Sequence, residues 1–200
     1  VGNNFILAVK INSSDFQKGG LEISDSIKIA NLIEKENIDF IEVSGGNFEA
    51  PEAYQYVSLK ESTKSREAYF LDAAKNIKAS LSIPIMVTGG FRSISVMEDA
   101  LTSSSTDLIG IGRPFVIDPS FPYKLLNGDI SVLPAVERNF PPAQDIPKGA
   151  VLNWFCDQLA LQGKTGKGDI NIPLIDGHER YIKQSDEATH SLISFRNNSK

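Results

Sequence analysis

Two apolar segments that are each followed by glycine carry the residue types that bind phosphate. The run IPIMVTGG places Gly89 and Gly90 directly after an apolar segment, and DLIGIGR places Gly112 and Arg113 after another. Glycine lets an oxyanion reach the backbone N–H groups because no Cβ stands in the way, and Arg offers a planar fork of donors. The two segments together favour a phosphate site over the alternative of two ordinary turns and a surface Arg.

A lysine inside the first apolar run is the next candidate. Lys10 lies in AVKIN, where Val and Ile flank it. A buried lysine needs a partner for its charge, and in the mouth of a barrel it would place a cation beside an electron-rich ring. A lysine on the outer face would instead extend past a helix to water. Both faces of this run are apolar, so the periodicity leaves the direction of Lys10 open.

The elements that must position these residues alternate along the chain. Four short runs, nearly continuous in aliphatic residues, are typical of strands buried on both faces of a parallel sheet. Helical patterns separate them, which indicates right-handed βαβ units. Ligands bind at the carboxyl ends of such strands, where the glycines lie. The strands are predicted at residues 6–12, 38–44, 83–88 and 107–112.

The helical spacing also predicts which side chains face inward. Each helix between the strands has a serine suited to cap it, at Ser24, Ser65 and Ser95. A further helix is predicted at residues 150–162, and the polar residues at the end of the chain are predicted to be frayed. The predicted inward residues are Ile29, Leu32 and Ile33; Phe70, Ala74 and Ile77; Val96, Ala100 and Leu101; and Leu152, Phe155 and Leu159.

One connection, at residues 45–64, is long and has no strong periodicity. It contains Phe48 and two tyrosines. Loops of this length in compact domains are functional or disordered, and the aromatic content favours a functional lid.

The composition excludes some function classes. The formal net charge is −5, which argues against a basic nucleic-acid footprint. No apolar run reaches the length of a membrane helix, and no N-terminal targeting pattern is present. The single cysteine, Cys156, is predicted to be a small core residue and indicates a reducing, cytoplasmic compartment. The first residue is Val1, which suggests a fragment or a processed chain.

Long colinear motifs from residue 1 to about residue 128 resemble the old yellow enzyme family of FMN-dependent NAD(P)H oxidoreductases, or ene-reductases. They are AVKINSSDFQKGG, IDFIEVSGGNFE, SREAYFLDAAKNIK, IPIMVTGGFRS and DLIGIGRPFVIDPSFPYKLLNG. The resemblance implies a TIM (β/α)8 barrel, of which this chain holds strands five to eight and a C-terminal helical tail. It also implies a barrel domain at residues 1–128, followed by an irregular connection, a helix and a polar tail at 129–200.

The resemblance assigns roles to the candidate residues. FMN is the implied cofactor and NAD(P)H the reductant. The cation of Lys10 would contact the pyrimidine edge of the flavin and stabilise its reduced anion. Phe48 would border a small-molecule alkene substrate, in the loop after the sixth strand. The residues matched to the phosphate contacts are Gly89, Gly90, Gly112 and Arg113.

The implied activity is hydride transfer from NAD(P)H through FMN to an activated alkene. The family's substrate-binding His/Asn pair and proton-donating Tyr belong to the first four strands, which this sequence lacks. His178 and His190 match none of these and are predicted to lie at the surface, so no catalytic residue is named, and no metal ligand.

Two other interpretations stay open at the level of sequence. The chain is either an oxidoreductase half or a truncated, catalytically inactive half-barrel that acts only as a binding or assembly piece. Open strand edges would then favour self-association or pairing with a missing N-terminal half. A different phosphate-binding barrel is disfavoured by Lys10 together with the SGG and VTGG motifs.

Overall fold

The computed structural model describes residues 2, 4–15, 18–45 and 67–198. The chain divides into two compact units. The first is Val1–Gly112 with Pro122–Pro134, and the second is Arg113–Phe121 with Ala135–Lys200. The predicted domain boundary after residue 128 is a separate inference from the family resemblance and stays a prediction.

The first unit contains a parallel sheet whose strands alternate with helices. Each strand pairs with the next one along the chain, in the order β1-β2-β3-β4. The predicted parallel α/β architecture is therefore confirmed, with strands shorter than the apolar runs that predicted them. The elements are β1 (Ala8–Asn12), α1 (Ile23–Glu34), β2 (Phe40–Ser44), α2 (Leu71–Lys78), β3 (Ile85–Thr88), α3 (Ile94–Thr102) and β4 (Leu108–Gly110).

One face of the sheet forms the core of the first unit. Its central residues have no exposed surface, and the helices contribute small or aliphatic side chains that are just as buried. Burial of this aliphatic surface is the main stabilising contribution, at about 25 cal/mol per Å². The buried set comprises Ile41, Val43, Ile85, Val87, Ala30, Ala74, Ile77 and Ala100.

Helix α1 faces the sheet with smaller residues than predicted. Leu32 is 61% exposed, whereas Ser26 and Ala30 are fully buried. The hydroxyl of Ser26 donates to the carbonyl oxygens of Asn12 and Ser13, at 2.8 and 3.1 Å. This contact ties the helix to the end of β1 and turns the predicted Leu32 face toward solvent.

The predictions of the inward-facing residues are correct in part for the two other helices of the first unit, α2 and α3. Phe70, Ala74 and Ile77 are buried as predicted. In α3, Ala100 is buried but Leu101 is 42% exposed, and Met97 takes the inward place instead. The predicted caps also shift, because α3 is preceded by Ser93 and α1 by Glu22. Ser65 lies outside the described residues.

The second unit is helical, as the predicted C-terminal tail required. After Gly112 come two short helices, α4 (Arg113–Ile117) and α5 (Phe121–Leu126), the latter lying mostly in the first unit. Short 3-10 turns follow at Val136–Asn139 and Ala143–Asp145. The long helices are α6 (Ala150–Thr165) and α7 (Leu174–Asn198).

The core of the second unit is built around the single tryptophan. Trp154 is fully buried and its indole N–H donates to the carbonyl oxygen of Ile172 at 2.9 Å. Phe155 is buried as predicted, but Leu152 and Leu159 are about half exposed, at 51% and 50%. The predicted apolar face was therefore wrong for the two leucines, because Trp154 lies on the side of α6 that is buried.

The end of the chain is more ordered than the sequence indicated. Its polar residues continue helix α7 as far as Asn198, although the side chains from Ser185 to Asn197 are exposed. Buried residues at the beginning of α7, including Leu174, anchor the helix. The prediction of a frayed tail was therefore wrong for the described residues.

Candidate functional site

The sheet presents a second face that carries polar residues. The strand register places Lys10 opposite Glu42, Glu42 opposite Met86, and Met86 opposite Leu108. Side chains alternate along a strand, so this row lies on the face opposite Ile41 and Val43 of the core. The row combines an ion pair with apolar neighbours, whereas the core face is entirely aliphatic.

Lys10 lies on this polar face, which decides the direction that the sequence left open. Its Nζ is 2.7 Å from Oε1 of Glu42, and the side chains of the two residues are 54% and 22% exposed. The lysine is therefore not buried within the apolar run. Its charge is paired across two neighbouring strands and lies in reach of a ligand on that face.

The glycine pair that follows β3 lies against aromatic rings. Gly90 has a φ of +81°, and a Cβ added there would lie 2.7 Å from Cδ1 of Tyr69 and nearer still to Cε1. A Cβ on Gly89, whose φ is +149°, would lie 2.6 Å from Cδ2 of Phe70. The packing of the Tyr69 and Phe70 rings therefore explains why residues 89 and 90 are both glycine. This reason is separate from the predicted role of the two glycines in binding phosphate.

Glu67 fixes the segment after the glycines. Its Oε2 accepts hydrogen bonds from the backbone N–H groups of Arg92 and Ser93, both at 2.7 Å. Its Oε1 accepts a hydrogen bond from the hydroxyl of Ser93. Since α3 begins at the next residue, Ile94, the carboxylate binds the N–H groups at the start of a helix, where a negative charge is favoured.

These contacts lower the pKa of Glu67. Burial raises that pKa, but the hydrogen bonds from the Ser93 side chain, the Ser93 amide and the Arg92 amide, with the charge of Arg92, more than offset burial. The pKa therefore lies below its ordinary value of 4.5. A carboxyl group with a depressed folded-state pKa stabilises the fold above its unfolded pKa, and loses that contribution as the pH falls through the folded pKa.

Acid should therefore remove the contribution of Glu67 to stability. We expect the wild-type chain to exceed Glu67→Gln in free energy of unfolding by a constant amount above about pH 5, and by less below about pH 4. Urea unfolding followed by far-UV circular dichroism at several pH values measures this difference. A difference that is equally large at about pH 3 would contradict the role given to the ionised carboxylate.

Gly112 differs from the glycine pair, because it is open to its surroundings. A Cβ added to Gly112 would meet no atom within 4 Å, and its φ is not in the left-handed region. A methyl group at this position would therefore meet no steric conflict in the described structure. The absence of a side chain leaves its backbone accessible.

Arg113 is the first residue of the second unit and is engaged there. Its Nη1 is 3.0 Å from Oε1 of Glu137, whose side chain is only 1% exposed. Its guanidinium carbon also lies 5.8 Å from the centre of the Phe155 ring, a cation–π distance. The arginine is thus a partner of a buried carboxylate. Its assignment as a phosphate ligand stays a prediction from the sequence.

The remaining candidates divide between described and undescribed residues. Phe48 and most of the predicted lid lie outside the described residues. His190 is exposed as predicted, but His178 is 7% exposed, and its Nδ1 lies 3.0 Å from Nδ2 of Asn153. The prediction for His178 was wrong, because α7 packs this residue against α6. Cys156 is half-buried.

Sequence reasoning missed Glu42 and Glu67. The first was detectable, since a period of two places it on the same face of β2 as Ser44, opposite the aliphatic Ile41 and Val43. The second carried no signal, because its partners lie 25 and 26 residues further along the chain.

Within the described ranges, no cluster of His, Cys, Asp and Glu is placed to hold a metal ion. The described helices also include none long and apolar enough to span a membrane.

Comparison with known proteins identifies relatives that match the first part of the chain. Residues 1–129 match the sequence model of the NADH:flavin oxidoreductase / NADH oxidase family. The NADH-dependent flavin oxidoreductase iliE of Neonectria sp. (strain DH2) is 36% identical over 127 residues, which is 59% of this chain and 16% of that protein. The NADH-dependent flavin oxidoreductase nadA of Aspergillus parasiticus is 34% identical over 140 residues, or 67% of this chain and 30% of that protein.

A solved structure has a similar fold. The complex of 2-naphthoyl-CoA reductase with 2-naphthoyl-CoA matches with a TM-score of 0.56 and 27% identity, covering 66% of this chain and 20% of that one. This chain therefore spans less than a third of the length of each of these three proteins.

Proposed function

The chain belongs to the NADH:flavin oxidoreductase / NADH oxidase family, and from this premise we propose that it supplies the flavin-edge and phosphate contacts of an FMN-dependent NAD(P)H oxidoreductase. The substrate class is an activated alkene, as in ene-reductases. When bound, FMN supplies the chemistry of hydride transfer between NAD(P)H and this alkene. The fold and the FMN cofactor follow from the family, whereas the individual contacts and the substrate are proposals.

The observation that carries the proposal is the position of Lys10 on the polar face of the sheet. Its ammonium group is held by Glu42 and not buried among aliphatic side chains. A cation held there fits the electron-rich pyrimidine edge of a flavin, because it stabilises negative charge on the reduced ring. Glu42 orients Lys10, so that less side-chain entropy is lost when a ligand binds.

The phosphate is assigned to the glycine-containing strand ends. Gly89, Gly90 and Gly112 follow β3 and β4, at the carboxyl ends where parallel α/β folds bind ligands. Of these three glycines, Gly112 is the one with no atom within 4 Å of its missing Cβ, which supports an approach to its backbone. Arg113 is included from the sequence alone.

A fluorescence titration with FMN tests the role of Lys10. We expect Lys10→Met to weaken FMN binding about tenfold, which corresponds to the loss of one charge-assisted hydrogen bond. Lys28→Met is the matched control, because Lys28 is also an exposed lysine paired with a carboxylate, Asp25 at 3.1 Å. Neither exposed pair should change the free energy of unfolding by more than about 1 kcal/mol.

The same titration tests the phosphate assignment through Gly112→Ala. The new methyl group should weaken FMN binding about tenfold by blocking the approach to the backbone, and should leave riboflavin, which lacks the phosphate, unaffected. Equal affinities of the wild-type chain, Lys10→Met and Gly112→Ala for FMN would overturn the proposed contacts.

A catalytically inactive binding piece is the second candidate. The residues of the described strands that lie on the polar face include no His and no Tyr. Pairing with a second copy or with a separate N-terminal half stays a prediction of this hypothesis. A location in the cytoplasm stays a prediction under both candidates. Binding of FMN without alkene reduction by the pure chain would favour it over the first candidate.

A further inference from the structure

The residues before α2 hold the loop after β3 at two places. At one place, the carboxylate of Glu67 accepts hydrogen bonds from the backbone of Arg92 and Ser93. At the other, the rings of Tyr69 and Phe70 cover the Cα positions of the two glycines. A short segment of chain therefore fixes both ends of the loop at residues 89–93.

The backbone of this segment is strained, which indicates that its shape is held by these contacts. Ala68 has a φ of +51° and is 5% exposed. A non-glycine residue in the left-handed region costs about 1–2 kcal/mol, and such strain persists only where surrounding interactions fix the conformation. The contacts on either side, by Glu67 and Tyr69, are interactions of this kind.

The charge of Glu67 also determines which N–H groups are left for another anion. The carboxylate occupies those of Arg92 and Ser93, next to the start of α3. These two donors are therefore engaged by the protein itself. The backbone at Gly89 and Gly90, at the other end of the loop, is where the sequence predicts the phosphate contact.

We propose that Glu67 is a positioning residue for FMN, which holds the loop at residues 89–93 in the shape that binds the phosphate at its glycine end. This inference rests on the proposed function, because it assumes that this loop binds the phosphate of FMN. It adds a residue that neither the glycine pattern nor the lysine indicated. Glu67 acts through the loop and does not contact the flavin.

The test compares FMN with riboflavin, which has the same ring system and no phosphate. For Glu67→Gln we expect FMN affinity to fall about tenfold while riboflavin affinity changes less than about twofold, since one side of a charge-assisted network is lost. Ser93→Ala removes only the hydroxyl contact and should weaken FMN binding about threefold. Glu98→Gln, an exposed residue on α3, is the control and should change neither affinity.

A second measurement does not depend on the flavin. Amide hydrogen exchange of the ligand-free chain should be at least about tenfold faster at Gly89 and Gly90 in Glu67→Gln than in the wild-type chain, because the loop opens more often. Far-UV circular dichroism shows whether the variant is folded. Ser93→Ala provides the milder variant if Glu67→Gln does not fold.

The outcomes separate this inference from the proposed function. If the role of Glu67 were merely structural, Glu67→Gln would bind both flavins more weakly to the same extent, or would bind both as well as the wild-type chain. Either result overturns the positioning role. A wild-type chain that binds neither flavin overturns the proposed function and the phosphate part of this inference. Hydrogen exchange then still decides whether Glu67 holds the loop, and unchanged exchange would overturn that part as well.

Discussion

Gly90→Ala is expected to lower the free energy of unfolding of the first unit by about 2–5 kcal/mol, which combines left-handed strain with overpacking. Gly90 has a φ of +81°, where an alanine is strained regardless of space. The new methyl group would also lie against the ring of Tyr69 and 3.1 Å from the backbone nitrogen of Ala68. The ring is flexible at its end but the backbone is not, so the clash cannot be relieved by a rotation of Tyr69 alone.

Urea unfolding followed by far-UV circular dichroism measures this loss. Gly112→Ala is the matched control in the same unit, because its methyl group meets no atom within 4 Å. We expect the control to change stability by less than about 0.5 kcal/mol. If Gly90→Ala were as stable as Gly112→Ala, the packing of the ring on the loop would be wrong.

A double-mutant cycle with Tyr69→Ala isolates the ring contact. Removal of the ring leaves space for the methyl group, so the double variant should be more stable than the sum of the single effects by about 1 kcal/mol or more. Additive effects would show that backbone strain, and not the ring, makes glycine necessary at position 90.

The result bears on how loss of FMN binding is interpreted. A loss of FMN binding in a Gly90 variant would combine two effects, a disturbed loop and a methyl group in the path to the backbone. Gly112→Ala separates these effects, because it alters the approach of a ligand without a steric conflict in the chain. Gly112 is therefore the better position at which to test phosphate binding.

Arg113→Ala is expected to destabilise the second unit by about 3 kcal/mol, because it removes the cation that faces a buried carboxylate. The Arg113 guanidinium is 3.0 Å from Glu137 and its side chain is 26% exposed, whereas that of Glu137 is 1% exposed. Desolvated charge is costly when one member of a pair is removed, even where the intact pair contributes little net stability. The contact of Arg113 with the ring of Phe155 is lost as well.

Fluorescence of the single tryptophan reports on this change directly, since Trp154 lies in the core of the second unit. Arg196→Ala, at an exposed position near the end of α7, is the control and should be neutral within about 0.5 kcal/mol. In the double variant Arg113→Ala/Glu137→Gln we expect recovery of about 1 kcal/mol or more, because a buried neutral amide costs less than a buried carboxylate. An Arg113→Ala chain as stable as wild type would show that the ion pair contributes nothing.

Arg113 therefore has an observed role in the ion pair with Glu137 and a predicted role as a phosphate ligand, and the two can be separated. Arg113→Lys keeps the charge near Glu137 but loses the planar fork that suits a phosphate. A lysine variant that keeps its unfolding midpoint and loses FMN affinity selectively over riboflavin would support the phosphate role. A variant that loses neither would leave only the structural role.

The sequence by itself determined the parallel α/β architecture. Four short aliphatic runs are typical of strands in a parallel sheet, and helical segments between them leave few topologies other than successive βαβ units. It also located the glycines at the ends of β3 and β4, because strand ends follow from where the aliphatic runs stop. The family resemblance added FMN, and the family to which residues 1–129 belong confirms that assignment.

Only the tertiary structure decided what each candidate contacts. The direction of Lys10 depends on the register between β1 and β2, which pairs it with a residue 32 positions away. The role of Glu67, the rings on Gly89 and Gly90, and the ion pair of Arg113 likewise depend on the reach of side chains across distant segments. Local periodicity reports which residues prefer burial, but it contains no information on which segments meet, and the contacts of a site are made where segments meet.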